Sequence, residues 1–328
     1  MNRTMRFLFS TLAGFAVSFG PSAVTLAADA YPSRPIKMIV PFPAGGSADV
    51  LTRIVVNEMA SNLGQPIVVE NRTGAGGNIG AEVVAKAKPD GYTLLSGSNS
   101  LPVASSLFSN LRYDPMKAFA PISLIGSSQM ILTVTPDFPA KSVSDLIQAA
   151  KDRPGQIAYA SAGMGSINHL AMEMLKFQAN IDLRHVPYRG APLAEIDVIN
   201  GRVPILADYV LTGLPHVKDG SLRALAVTGR TRLAGLPDVP TISESGLPDY
   251  EATLWFALFA TAGTPQPIMD KLVGAAEAAM KKPAVQQRLS ELGIDVSQDL
   301  GPRPLGERMR TDHDRWKAVV DKAGIRLD

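Results

Sequence analysis

The sequence predicts an α/β protein organised as two lobes, and three observations carry that prediction. From Tyr31 onward, short β-branched runs alternate with stretches of helical apolar spacing, the pattern of sheets covered by helices on both faces. Several helical stretches open on recognisable capping residues. The chain is 328 residues long, 46% hydrophobic and 19% charged, which is globular and sufficient for two domains of ordinary size.

Taken in order, the strand candidates are "IKMIV", "PIVVE", "YTLLS", "MILTV", "IAYAS", "LRHVPY", "VPILAD", "LRALAV" and "LWFALFA". Helical spacing covers residues 50–63, 79–87, 143–150, 167–177 and 268–280. Such alternation predicts parallel sheets. Ser142 with Asp145 reads as a variant of the capping box, and Thr264 before Pro265 reads as an N-cap with proline at the first helical position. Crossings near 127–129 and 249–253 would divide the chain. Lobe one then comprises 31–128 and 252–328, and lobe two 129–251. The pattern at 305–323, with Trp316, Val319 and Val320 on one side, would be a C-terminal helix packed on lobe one.

Residues 1–30 stand apart. Arg3 and Arg6 precede an apolar run at 7–19, and small residues follow to "ADA" at 28–30, the layout of a secretory signal peptide with cleavage near Ala27 or Ala30. The run is short of the ~20 apolar residues that span a bilayer. The expected location is periplasmic. The formal charge is +2, and loss of Arg3 and Arg6 brings it to zero. With no basic run either, nucleic acid is not an expected partner. The absence of cysteine removes disulfides, thiolate metal sites and cysteine nucleophiles together.

Three junctions from strand to loop to helix are rich in small residues: "PFPAGGSAD" at 41–49, "NRTGAGGNIGA" at 71–81 and "ASAGMGSINHL" at 160–170. Glycines let consecutive N–H groups turn toward one point, and the helix behind adds unsatisfied donors and the positive end of its dipole. Such a junction holds a carboxylate or phosphate without a cationic side chain. Hydrogen bonds to a charged group contribute roughly 1.5–3 kcal/mol each, so four to six cover the ~8 kcal/mol of micromolar binding even after association costs.

Enzyme signatures are absent. "GAGGNIG" is not a dinucleotide fingerprint, and no P-loop or nucleophile elbow occurs. His169, His185, His216 and His313 lack metal-ligand spacing, so no metal and no cofactor is expected. Ser166 reads as a helix cap with His169 one turn along. Asp49 complements the dipole of its helix, with contact to a ligand amine or hydroxyl as the lesser reading. Asp208, at a strand end, either faces a cleft or caps the next helix. Phe42, Tyr188 and Arg189 either wall a pocket or pack.

The segments "YPSRPIKMIVPFPAGGSADVLTR", "VENRTGAGGNIGAEVVAKAKPDGYTLL", "SAGMGSINHLAMEML" and "LRALAVTGRTRLAGLPDVPTISESGLPDYEATLWFALFATAGTP" resemble the tripartite tricarboxylate transporter receptor family, the Bug-type solute-binding proteins. The resemblance runs from Tyr31 to the C-terminus. It implies a two-lobed periplasmic-binding-protein fold of type II, capture of a small carboxylate in the cleft through backbone groups and bridging waters, and delivery to a two-component membrane permease. Carried onto this chain, it places ligand contacts at Phe42, Ala44, Gly45, Gly46, Ser47 and Asp49, at Gly76, Gly77 and Asn78, and at Ser98 and Asn99. In lobe two it places them at Ser161, Gly163, Gly165, Ser166 and Asp208. The segment "VPYRGAPLAEIDVINGRVPI" departs from the family's alanine-rich version, although Asp197 and Gly201 align. A monomer is expected. The alternatives are a receptor that signals to a membrane kinase and a periplasmic hydrolase using Ser98, Ser161 or Ser166.

Overall fold

A run of β-branched and apolar residues that must bury both faces needs helices above and below it, and this requirement organises the molecule. The computed structural model describes residues 31–327; the signal-peptide reading falls outside them. In chain order the first elements are β1 (Ile36–Val40), α1 (Ser47–Leu63), β2 (Ile67–Asn71), a short 3-10 turn (Ala75–Gly77), α2 (Asn78–Ala85), β3 (Thr93–Ser98), α3 (Ser100–Leu107) and β4 (Phe119–Val134). There follow α4 (Val143–Asp152), β5 (Ala158–Ser161), α5 (Ile167–Ala179), β6 (Arg184–Pro187), α6 (Ala191–Ile199), β7 (Ile205–Tyr209), α7 (Val210–Lys218) and β8 (Arg223–Val227). The chain closes with β9 (Thr253–Thr261), α8 (Gln266–Met280), α9 (Pro283–Glu291), β10 (Asp295–Val296) and α10 (Pro302–Ala323).

Strand order is β2-β1-β3-β9-β4-β7-β5-β6, with β8 and β10 also paired to β4. The expectation of purely parallel sheets is corrected. The pairs β1–β2, β1–β3, β5–β6 and β5–β7 are parallel, whereas β9 runs antiparallel to β3 and β4, and β4 antiparallel to β7 and β8. The cause is β4, 16 residues long. Its first part pairs with β9 from Phe119↔Thr261 to Gln129↔Thr253. Its second part pairs with β7 from Met130↔Tyr209 to Val134↔Ile205. One strand carries the chain out and β9 brings it back alongside, so the two pair antiparallel. Sequence reading caught only the "MILTV" end of β4, because "FAPISLIGSSQ" is broken by proline, glycine and serine. The helices α3, α6, α7 and α9 were likewise not singled out.

Burial follows the strand period. Ile36, Met38 and Val40 face Leu51, Val55 and Met59 of α1 and Leu272 and Ala276 of α8, all buried in one core. Ile39 points to the other face, with Ala81 and Val84 of α2 and Leu305 and Met309 of α10. Around β5 and β7 the same division recurs. Tyr159 faces Leu146 and Leu170, while Ala158, Ala160 and Leu206 face Ala194 and Val198. Trp316 and Val320 of α10 are buried as their spacing predicts, whereas Val319 is only half-buried.

Two capping expectations resolve differently. Ser142 Oγ accepts from Asp145 N at 3.1 Å, and Asp145 Oδ2 accepts from Lys141 N at 2.9 Å, so the reciprocal bond lands one residue early. Thr264 is not the N-cap. Its hydroxyl donates to Thr261 O at 2.7 Å to close the turn after β9, and α8 starts at Gln266 behind Pro265, whose carbonyl accepts from Ile268 N and Met269 N.

One buried polar link ties α10 to β9. Trp255 Nε1 donates to Asp312 Oδ2 at 2.5 Å, with both side chains buried. Burial raises the Asp312 carboxyl pKa, against the opposing pull of the indole N–H and Arg308. Asp312→Ala leaves the indole N–H unpaired and is expected to cost about 1–3 kcal/mol. A urea titration should show a lower midpoint at unchanged slope, with Asp312→Asn losing less because it keeps an acceptor.

Candidate functional site

The first glycine junction is fastened from within. Asp49, 4% exposed, accepts from Gly45 N at 3.0 Å, from Asn71 Nδ2 at 3.0 Å and from Arg53 Nε at 3.0 Å. Asn71 Nδ2 also donates to Phe42 O at 2.9 Å. These donors hold the Asp49 carboxyl below its ordinary pKa against the cost of burial. The carboxylate's acceptor sites are thus taken by the protein, and so is the Gly45 amide. What stays open is the first turn of α1. The first helical bond runs from Val50 N to Gly46 O, so the N–H groups of 47–49 precede the ladder. Ser47 adds a hydroxyl that is buried and has no hydrogen-bond partner among the described residues.

The other two junctions also spend amides internally. Gly77 N and Ile79 N donate to Gly74 O. Asn78 donates to Ala75 O and accepts from the Tyr113 hydroxyl. At 161–166, Ala162 N bonds Asn168 Oδ1 at 3.3 Å, Gly163 N bonds Ser161 Oγ at 3.1 Å, Gly165 N bonds His169 Nδ1 at 3.1 Å, and Ser166 N bonds Gly163 O at 3.2 Å. Ser166 occupies the N-cap position of α5, but its hydroxyl donates backward to Gly163 O at 2.5 Å rather than capping. His169, one turn along, accepts from Gly165 N ahead of the helix, and no side chain caps α5. A fan of free amides from every glycine is therefore not what these loops form.

A cavity of about 740 Å³ opens where the loops of the two sheet sections meet, within the range of small-molecule sites. Of the expected contacts, Phe42, Gly46, Ser47, Gly76, Gly77, Ser98, Gly163 and Ser166 line it. Ala44, Gly45, Asp49, Asn78, Asn99, Ser161, Gly165 and Asp208 do not. Asn99 is turned to β9, donating to Thr253 O at 2.9 Å. Asp208 is fully buried. It accepts from Tyr209 N at 2.8 Å and Thr212 Oγ1 at 3.0 Å at the start of α7. Burial and the adjacent Glu195 carboxyl raise its pKa well above the usual range, and its contacts lie within the β7–α7 turn. Ser161 Oγ lies 2.6 Å from His185 Nε2, the separation of a nucleophile and base. The serine is wholly buried and absent from the cavity wall, which makes the pair a support beneath the loop.

Tyr188 and Arg189, undecided from sequence, both face the cavity, together with Phe108, Tyr209, Leu254, Phe256 and Arg326. Nothing in local sequence marks Arg326 or Leu327. The tail reaches the site because Leu327 N donates to Leu107 O at 2.6 Å. No Asp, Glu, Lys or His among the described residues lines the wall, whereas two arginines do. Among the described residues, no group of three or more His, Asp or Glu is placed to hold a metal ion.

Comparison with known proteins gives these features a setting. A sequence model described as "Tripartite tricarboxylate transporter family receptor" matches residues 51–325. The chain is 35% identical over 319 residues to Protein BugT of Bordetella pertussis, covering 96% of this chain and 97% of that protein. It is similar to the structure of R. palustris Rpa4515 with adipate at a TM-score of 0.85 and 33% identity, covering 90% of this chain and 100% of the other. It is similar at 0.84 and 34% to MatC (Rpa3494) from Rhodopseudomonas palustris with bound malate, covering 88% and 100%.

Under the loop at 161–166, the His169 and His185 rings stack at 4.0 Å and Tyr159 stacks on His185 at 4.9 Å. Burial lowers the His169 pKa from 6.5 to about 4, and burial with neighbouring His169 lowers His185 to about 3. Both are neutral when folded but take up protons on unfolding below 6.5. Unfolding then binds protons, and stability falls as pH drops from 6.5 toward 4. The raised Asp208 works in the opposite direction, since its stabilisation is lost as pH rises through its folded value. Melting temperature should fall across that acidic window, and His185→Gln should shallow the fall. An identical slope in the variant would remove His185 as a cause.

Proposed function

Because the chain belongs to the tripartite tricarboxylate transporter receptor family, we propose that it is a periplasmic receptor that captures a small carboxylate in this cavity and delivers it to a permease of the tripartite type. Its fold is the α/β fold of periplasmic binding proteins. The observation that carries the reading is a cavity with no acidic side chain on its wall, facing the N-terminal turn of α1 and the unpartnered Ser47 hydroxyl. Unsatisfied N–H groups and the positive end of a 17-residue helix favour an anion there. The two similar structures hold adipate and malate, both dicarboxylates.

The division into lobe one, 31–128 with 252–328, and lobe two, 129–251, belongs to this proposal. Its support is that β4 changes partner between Gln129 and Met130 and that β9 ends its pairing at Thr253. Export is supported by the signal-like residues 1–30. Among the described residues, no helix is long and apolar enough to cross a membrane.

Carboxylates should raise the melting temperature of the purified protein without being consumed, whereas the matching neutral amides should not. Ser47→Ala should weaken carboxylate binding by about tenfold or more, the loss expected for one hydrogen bond to a charged group, as read by calorimetry. Equal affinity for acid and amide would defeat the electrostatic basis, and turnover of an ester would favour a hydrolase.

A further inference from the structure

We propose that Arg189 is the charge-pairing, specificity-determining side chain of the cavity, and that the site takes a carboxylate with an apolar body, aryl or alkyl, in preference to a hydroxylated tricarboxylate. This rests on the carboxylate reading above and narrows it.

The charge argument starts from the wall. Among the described residues, Arg189 and Arg326 are its only charged side chains. Arg326 is committed, donating to Asp321 Oδ1 at 3.0 Å and to the carbonyls of Ser106 at 3.2 Å and Ile325 at 3.0 Å. Arg189 makes no hydrogen bond or ion pair with any described residue, yet its backbone is held on both sides. Tyr188 N donates to Ser161 O at 3.0 Å and Gly190 N to Ala162 O at 3.1 Å. Gly190 has φ +122, and a Cβ there would come within 2.8 Å of Pro43. The turn that carries Arg189 is therefore pressed onto the loop that opens α1. A planar guanidinium suits a carboxylate in two-point contact. Arg189 is exposed at the cavity wall, where it can pair with an anion seated against the α1 N-terminus.

The second argument concerns what the wall has left to offer. Phe42, Phe108, Met164, Ile167, Leu254 and Phe256 make its body apolar. Most of its hydroxyls are already bonded to the protein: Ser98 with Ser100, Ser166 to Gly163 O, Thr212 to Asp208 and Tyr188 to Asp197. A ligand with several hydroxyl groups would find few free partners for them there, and each one buried unpaired is costly. An aromatic ring or methylene chain loses nothing there and gains by leaving water.

The test is calorimetric titration of the mature protein with benzoate, phenylacetate, adipate and citrate, repeated on Arg189→Gln and Arg189→Lys. At least one of the first three should bind at least tenfold more tightly than citrate. Arg189→Gln should weaken that binding about 10- to 100-fold, the range of a lost charge-assisted hydrogen bond. Arg189→Lys should recover part of the loss, and both variants should melt at the wild-type temperature because the side chain has no partner to lose. Citrate binding equal to or tighter than the others would overturn the apolar-body preference, and an unchanged affinity in Arg189→Gln would overturn the role of the arginine. Either result leaves the carboxylate receptor standing. No heat with any of the four probes would remove both readings.

Discussion

The antiparallel pairing of β4 with β9 is the constraint on which the rest depends. These two strands join the two sheet sections, and their register from Phe119↔Thr261 to Gln129↔Thr253 determines where the second section begins. Because β4 continues without a break into its pairing with β7 and β8, the loops that follow β1, β2 and β3 come to face those that follow β5, β6 and β7. Every wall of the cavity is a consequence. The pair is itself held by the buried core on both faces and, through Trp255 and Asp312, by the C-terminal helix.

The site is then a matter of which polar groups remain after the loops have satisfied themselves. A glycine-rich turn exposes many amides, and a buried amide without a partner costs free energy. Here Asp49, Asn168, His169 and Ser161 meet that demand from the side of the protein. The result is a pair of loops with fewer donors left over, among them the first-turn amides of α1 and α5 and the Ser47 hydroxyl. Internal bonding of this kind lowers the ordering cost of binding. The Gly165 amide needs a neutral His169, because an imidazole accepts an amide proton only while uncharged.

How far the chain could be read in advance differs from element to element. Long periodic stretches such as 50–63 and 305–323 announced α1 and α10, because a one-sided apolar stripe is a local property. The runs "IKMIV" and "LWFALFA" announced β1 and β9 for the same reason. The first part of β4 was missed because proline, glycine and serine interrupt it, and only its neighbours make it a strand. Phe42, Gly46, Ser47, Gly76, Gly77, Ser98, Gly163 and Ser166, which the family resemblance placed at junctions after strands, line the cavity. Asp208 was picked out by the same rule and instead turns beneath α7, since a strand end dictates where a backbone goes and not which way a side chain rotates.

Sequence alone determined the α/β class, the three small-residue junctions, the signal-like leader and a family resemblance that the comparisons support. These are properties of composition and of spacing over a few residues. The tertiary structure decided the mixed strand directions, the arrival of Leu327 and Arg326 at the cavity, and the difference between a committed arginine and an uncommitted one at position 189. Each of those depends on residues far apart in the chain meeting in space, and hydrogen-bond donors are allotted only once the neighbours that compete for them are in place.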